Sequence, residues 1–119
     1  MDRLGGTMIE TGLEYSIGTI VEWHYARNLI MGSDDKQQVL KLIQEVGELS
    51  DSICKGRTPI DDIGDIIVVL VNIAERNNIS IKDCVDHAYN DIKHRKGTMI
   101  DGIFIKSEDD YNPDSVGNR

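Results

Sequence analysis

Cysteine is scarce in this chain. Cys54 and Cys84 are its only two, and neither falls in a CxxC pair or a His/Cys spacing of the zinc-binding kind. A disulfide framework and a soft-metal centre are therefore disfavoured, and both thiols are expected to lie buried in a reducing compartment. No Glu-x-x-His pair occurs, which argues against a di-iron carboxylate bundle. There is no P-loop, no glycine-rich dinucleotide fingerprint and no nucleophile elbow. No apolar run reaches transmembrane length and no apolar segment of the signal-peptide type opens the sequence, so a cytoplasmic protein is expected. Positive charge is also short: 13 Lys and Arg face 21 Asp and Glu, a net charge of −8. Such a surface repels nucleic acid and anionic membranes, and neither is expected as a partner.

What remains is a chain of 119 residues, 39% apolar, which reads as one domain over 1–106 followed by a polar tail, 107–119, expected to be disordered. Apolar residues recur at helical spacing from Ile9 through Leu13, Ile17, Ile20 and Val21, which predicts a first helix from about 9 to 30. Gly32-Ser33-Asp34 breaks it, and Ser33 or Asp34 suits an N-cap. A second helix is expected from about 34 to 55, with an apolar stripe of Val39, Leu42, Val46, Leu49 and Ile53. Pro59 opens a third helix that is apolar nearly all round and ends near Asn78. Such a helix needs cover on several sides, which predicts an oligomer. Ser80 is placed to cap a fourth helix, about 81 to 96, closed by Gly97. Asp101-Gly102 between two apolar runs then predicts a hairpin arm. The fold class expected is all-α, four-helix bundle-like, with a short C-terminal β-like arm.

Two short acidic blocks stand out. Glu45-Val46-Gly47-Glu48 and Asp62-Ile63-Gly64-Asp65 each place two carboxylates at i and i+3, one turn apart on a helix. Each also holds a glycine, which costs about 1 kcal/mol in a helix interior; close approach of the two helices is the simplest reason for both. Glu45 lies about 40° from Leu49 around the helix, at the border of the apolar stripe. A purely solvated acidic face, the common fate of such pairs, would lie opposite it. Four carboxylates brought together need a hard divalent cation between them. The spacing thus points to a metal site formed by Glu45, Glu48, Asp62 and Asp65.

These blocks resemble the acidic signature of the MazG-like branch of the all-α NTP pyrophosphatase superfamily, ExxE followed by ExxD. Lys41-Leu42-Ile43-Gln44 ahead of Glu45, and Leu49 after Glu48, are similar to the family's lead-in. Asn90 to Gly97 resembles its basic phosphate-side segment, and Met99 to Phe104 is similar to the tail of small stand-alone phage and bacterial members. The likeness covers roughly residues 14 to 106. It departs at Asp62, where the family has Glu, and at Gln44, which stands where a further Glu is usual. The resemblance implies hydrolysis of nucleoside triphosphates to the monophosphate and pyrophosphate, with Mg²⁺, or Mn²⁺ in its place, held by the four carboxylates. Glu48, with Glu45, would serve catalysis. Lys41, Asn90, Lys93, Arg95 and Lys96 would bind phosphate, and Trp23 and His24 would line a base pocket, in a homodimer or homotetramer.

Plainer readings stand beside each of these. Lys93, Arg95 and Lys96 equally suit a helix C-terminus, Lys41 an i,i+4 ion pair with Glu45, Trp23 a place in the core, and His24 a surface position. A dNTP-specific hydrolase of dUTPase-like kind is a rival on the same scaffold. A catalytically silent helical module that senses nucleotide or binds a protein is a rival of another class.

Overall fold

The computed structural model describes residues 12–107. The expected start of the first helix at Ile9 and the polar tail lie outside them, apart from Ser107. Four helices and a two-stranded sheet follow in order: α1 Leu13–Ala26, α2 Asp35–Cys54, α3 Ile60–Arg76, α4 Ile81–Ile92, β1 Gly97–Ile100 and β2 Ile103–Lys106. They divide into two units, the first ending at Ile81 and the second beginning at Lys82.

In the first unit α3 is the common partner. It packs along α2 and also against α1. Its buried residues are Val69, Val71, Asn72 and Ala74, and Ile30 from the α1–α2 connection joins them. Asp34 caps α2, its Oδ1 accepting from the Gln37 amide at 2.8 Å, as the Ser-Asp pair predicts. Gly56 closes α2 at φ +71°, a conformation that favours glycine. Lys55 and Arg57 both reach the Asp51 carboxylate, at 3.1 and 3.0 Å.

The α1–α2 connection is fastened from α3. Asn28 takes the left-handed conformation at φ 56°, which ends α1 earlier than the apolar pattern suggests, and the Leu29 amide turns back to the His24 carbonyl. Gly32 sits so close to the Asn28 carbonyl that a Cβ there would overlap it. The Asn72 amide donates to the Leu29 carbonyl at 3.0 Å. Arg76 donates to the carbonyls of Ile30 and Ser33 and pairs with Asp35. One buried amide and one guanidinium of α3 thus satisfy the carbonyls that the turn leaves over.

The second unit contains α4 and the hairpin. β1 and β2 pair antiparallel, with Ile100 opposite Ile103 across Asp101-Gly102, both at positive φ. This is the turn that the Asp-Gly pair predicts. α4 stops at Ile92, four residues short of the expected end, so Lys93 to Lys96 lie in the turn beyond it.

Three expectations need correction. Gly47 and Gly64 do not mark a close approach: a Cβ at either would meet nothing within 4 Å. Cys54 is exposed and Cys84 half-buried, both as free thiols. The stripe of α2 is split, since Leu42 and Leu49 are half-buried while Val39, Val46 and Ile53 are exposed. α3 meets α2 on its Glu45 side rather than at the centre of the stripe. No helix among the described residues is long and apolar enough to cross a membrane.

Gly47→Ala and Gly64→Ala are expected to raise the stability of the chain by about 1 kcal/mol each, read as a higher urea midpoint. Asn72→Ala removes two hydrogen bonds from a residue with no solvent exposure and is expected to cost about 1–3 kcal/mol, read in the same titration.

Candidate functional site

Glu45 is the most unusual acidic residue in the first unit. It projects from the middle of α2 into the packed side and is 5% exposed. Its Oε2 pairs with Lys41 one turn earlier, at 3.2 Å. Its Oε1 is buried without a hydrogen-bond partner among the described residues. A buried carboxylate oxygen left unpaired is costly, because it has lost water and gained nothing in exchange.

Asp65 of α3 comes close enough to feel this charge. Crowding strips part of its hydration, the negative charges of Glu45, Asp61 and Asp62 add to that, and its carboxyl is pushed above the usual value while Lys41 opposes the shift. Asp65 as a whole stays exposed, so water still screens much of the effect. The structure therefore brings together Glu45, Lys41 and Asp65, with Asp62 half-buried one turn before Asp65. Glu48 is exposed one turn beyond Glu45 on α2. Among the described residues no group of three or more His, Cys, Asp and Glu side chains is gathered tightly enough to hold a metal ion. The orphaned Glu45 oxygen fits a cation as its missing partner, and the same oxygen would accept a hydrogen bond.

Trp23 lies next to this acidic patch. It is 43% exposed, so it is not the core residue that its size suggests. It forms a wall shared by two recesses. One, of about 460 Å³, is lined by Thr19, Ile20, Trp23, Asp65 and Val68. The other, of about 770 Å³, runs between α1 and α2 over α3, and Lys41 and Gln44 are on its wall.

His24 is neither on the surface nor free for a ligand. It is 3% exposed, its Nε2 lies 2.9 Å from the Val68 carbonyl, and its Nδ1 lies 3.2 Å from the Asn72 amide nitrogen. A carbonyl accepts and an amide N–H donates, so Nε2 carries the proton and Nδ1 accepts. Both ring nitrogens are committed inside the unit. The clue was in the sequence: His24 falls four residues after Ile20 and three after Val21, on the apolar stripe of α1. Asn72 had no such clue, being one polar residue in an aliphatic run.

The basic segment belongs to the second unit. Lys93 donates to Asn90 Oδ1 at 3.1 Å, and Arg95 pairs with Asp91 at 3.4 Å. Asn90 and Lys93 are thus brought together, as their spacing predicts, while Arg95 is turned back along α4. Lys96 is exposed in the turn before β1.

Comparison with other proteins adds one likeness. The chain is 38% identical over 69 residues to an uncharacterized 18.2 kDa protein from the rep-hol intergenic region of Haemophilus phage HP1. The match covers 56% of this chain and 42% of the phage protein, so this chain spans less than half the length of that relative. No protein-family model matches the chain, and no solved structure matches it.

The raised Asp65 value has a consequence for stability. The folded chain holds that proton more tightly than the unfolded one, whose carboxyl titrates near 3.8. The folded state is favoured while the proton is bound, and the advantage fades as pH rises through the folded value. Asp65→Asn is therefore expected to raise Tm relative to the native chain at about pH 7 and to change it much less near pH 4, as thermal melts at the two pH values would show.

Proposed function

We propose that this chain is a Mg²⁺-dependent nucleoside triphosphate pyrophosphohydrolase of the MazG-like kind, on a four-helix bundle-like fold. The observation that carries the reading is the buried Glu45 carboxylate with one oxygen unpaired, held by Lys41 and faced by Asp65 beside a recess walled by tryptophan. Buried carboxylate oxygens are as a rule hydrogen-bonded, so the orphaned oxygen calls for a partner.

In this reading Glu45, Glu48, Asp62 and Asp65 hold the ion, and Mn²⁺ can replace Mg²⁺. When bound, the metal supplies charge neutralisation for the triphosphate and acidifies water. Lys41 fixes one oxygen of Glu45 and so orients the other. Glu48, exposed and one turn away, accepts the proton of the attacking water as general base. The bridge between the α- and β-phosphates breaks, and nucleoside monophosphate and pyrophosphate leave. Within the second unit, Lys93, held by Asn90, forms with Arg95 and Lys96 a basic segment suited to phosphate oxygens. Arginine gives up Asp91 for two phosphate oxygens at little cost, because an exposed ion pair is weak. Trp23 provides an apolar wall for the base.

The active species in this reading is a homodimer or homotetramer in the cytoplasm. Val39, Ile43, Val46 and Ile53 form an exposed apolar stripe over four turns of α2, and Ile60, Ile63 and Leu70 are exposed on α3. Exposed apolar residues aligned in this way favour association.

The test is release of pyrophosphate from each common NTP and dNTP, with and without Mg²⁺, by the native chain and by Glu48→Gln. Metal-dependent release that falls by about 10²-fold or more in the variant, with helix content retained, is the expected result. The pattern across substrates also separates a general NTP hydrolase from a dUTPase-like one. Absence of release from every substrate would overturn the reading and leave a nucleotide-sensing or protein-binding module in its place.

A further inference from the structure

His24 is the one imidazole of the first unit, and neither the acidic patch nor the proposed reaction takes a proton from it. Its neutral ring is matched atom by atom to what surrounds it. Nε2–H donates to the Val68 carbonyl at 2.9 Å, and Nδ1 accepts from the Asn72 amide nitrogen, 3.2 Å away. That nitrogen has two hydrogens, and the second goes to the Leu29 carbonyl at 3.0 Å. His24 is 3% exposed and Asn72 not at all, so a bond lost here is not readily replaced by water.

A second proton on the ring ends this match. A protonated imidazole donates from both nitrogens. Its Nδ1–H would face the Asn72 N–H, donor against donor, in a place closed to solvent. The Asn72 side chain holds a remedy, because its Oδ1 is buried and has no hydrogen-bond partner among the described residues. Turning the amide half round brings Oδ1 to the Nδ1–H as an acceptor for a charged donor. The same turn takes the nitrogen away from Leu29 and sets Oδ1 toward that carbonyl, acceptor against acceptor. The α1–α2 connection then keeps only Arg76 as its side-chain tie from α3. His24, Leu29 and Val68 all line the larger recess, so its wall changes with the amide.

The charged groups on the surrounding helices are of both signs. Arg27 of α1 lies over the Trp23 ring, 4.5 Å from its centroid, and that ring meets His24 edge-on with centroids 5.4 Å apart. Lys41 of α2 shares the recess wall with His24 and is paired with Glu45. On α3, Asp65 stands one turn before Val68, Glu75 accepts from the Tyr25 hydroxyl, and Arg76 is bonded to the turn. None of these makes a hydrogen bond to His24 or Asn72 among the described residues. The donors and acceptors around the ring therefore decide what its protonation does.

We propose that His24 and Asn72 form a proton-operated switch. With His24 neutral, the amide holds Leu29 and fastens the α1–α2 turn; with His24 protonated, the amide turns to the ring and lets Leu29 go. The turn is fastened at higher pH and loosened as pH falls. The switch does not depend on the reaction proposed above.

The experiment follows the full chain by NMR from about pH 8 to about pH 5, the interval in which an imidazole ordinarily changes charge. The His24 ring signals are expected to shift, and the Asn72 side-chain NH₂ signals to shift with the same midpoint. The Leu29 and Gly32 amides bond to the His24 and Asn28 carbonyls within the turn. Their protection from hydrogen exchange, corrected for the intrinsic effect of pH, is expected to fall about tenfold, while that of the α2 interior stays. His87 and His94, both exposed in the second unit, titrate in the same spectra as references. His24→Gln, uncharged at every pH, is expected to abolish the response of Asn72 and of the turn. If that variant does not fold, the titration of the native chain decides alone. Asn72 signals that stay fixed while His24 titrates, a His24 ring that keeps its neutral signals down to about pH 5, or a turn that loosens equally in His24→Gln overturns the proposal.

Discussion

Asn72 sits with no solvent exposure in the aliphatic stretch of α3, and the shape of the first unit follows from what its amide must bond. A buried amide has to find partners, and only certain arrangements of α1 and the turn after it provide them. The donor side serves both the His24 ring and the Leu29 carbonyl, so α1 can neither rotate nor slide along α3 without breaking a bond inside the core. His24 then ties to the Val68 carbonyl one turn earlier on α3. The result is a polar clasp embedded in apolar packing. Hydrophobic contact between α1 and α3 would tolerate several registers; the clasp selects one. Among the described residues the Asn72 Oδ1 has no partner, which marks this clasp as held by geometry at some cost to itself.

The same helix meets the opposite problem at its other end. There α3 faces α2 through Asp65 and Glu45, and like charge crowds where neutral packing would be cheaper. Lys41 offsets part of it from one side. By stability alone, a residue that packs without a charge would be favoured at Glu45. The two ends of α3 are thus complementary. One fixes the helices through the donor side of a buried amide, and the other holds charge that the fold by itself does not satisfy.

The sequence was readable wherever a local signal decided the outcome. Asp34 at the start of α2, Gly56 at its end and Asp101-Gly102 at the hairpin are set by their own backbone chemistry, and the structure agrees at each. Periodicity also located the helices. It failed where a tertiary partner decided. The apolar stripe of α2 named Val46 and Ile53 as core, but α3 approaches from the side of Glu45 and Ser52, and no periodic pattern records the direction from which a neighbour comes. Gly47 and Gly64 looked like contact points and face open space instead. The end of α4 fell earlier than Gly97 indicated, because Lys93 to Lys96 are as compatible with a turn as with a helix. Of the site, the proximity of Glu45 to Asp65 and Lys41 followed from spacing, and so did that of Asn90 to Lys93. The place of His24 on the α1 stripe hinted at its burial, but its partners Asn72 and Val68, more than forty residues away along the chain, left no local signal.

That separation along the chain bears on the order in which the molecule can be made. The turn between α1 and α2 is fastened by Asn72 and Arg76, and each of the bonds these two side chains make to its carbonyls spans more than forty residues. As the chain emerges during synthesis, the first two helices exist before the side chains that define the angle between them. They can wind and touch, but their carbonyls at Leu29, Ile30 and Ser33 stay with water until Arg76 has appeared. The recess between α1 and α2 is therefore absent from the nascent two-helix piece. It forms only when the third helix docks, so a truncated chain that stops before Asn72 would lack the bonds that set it.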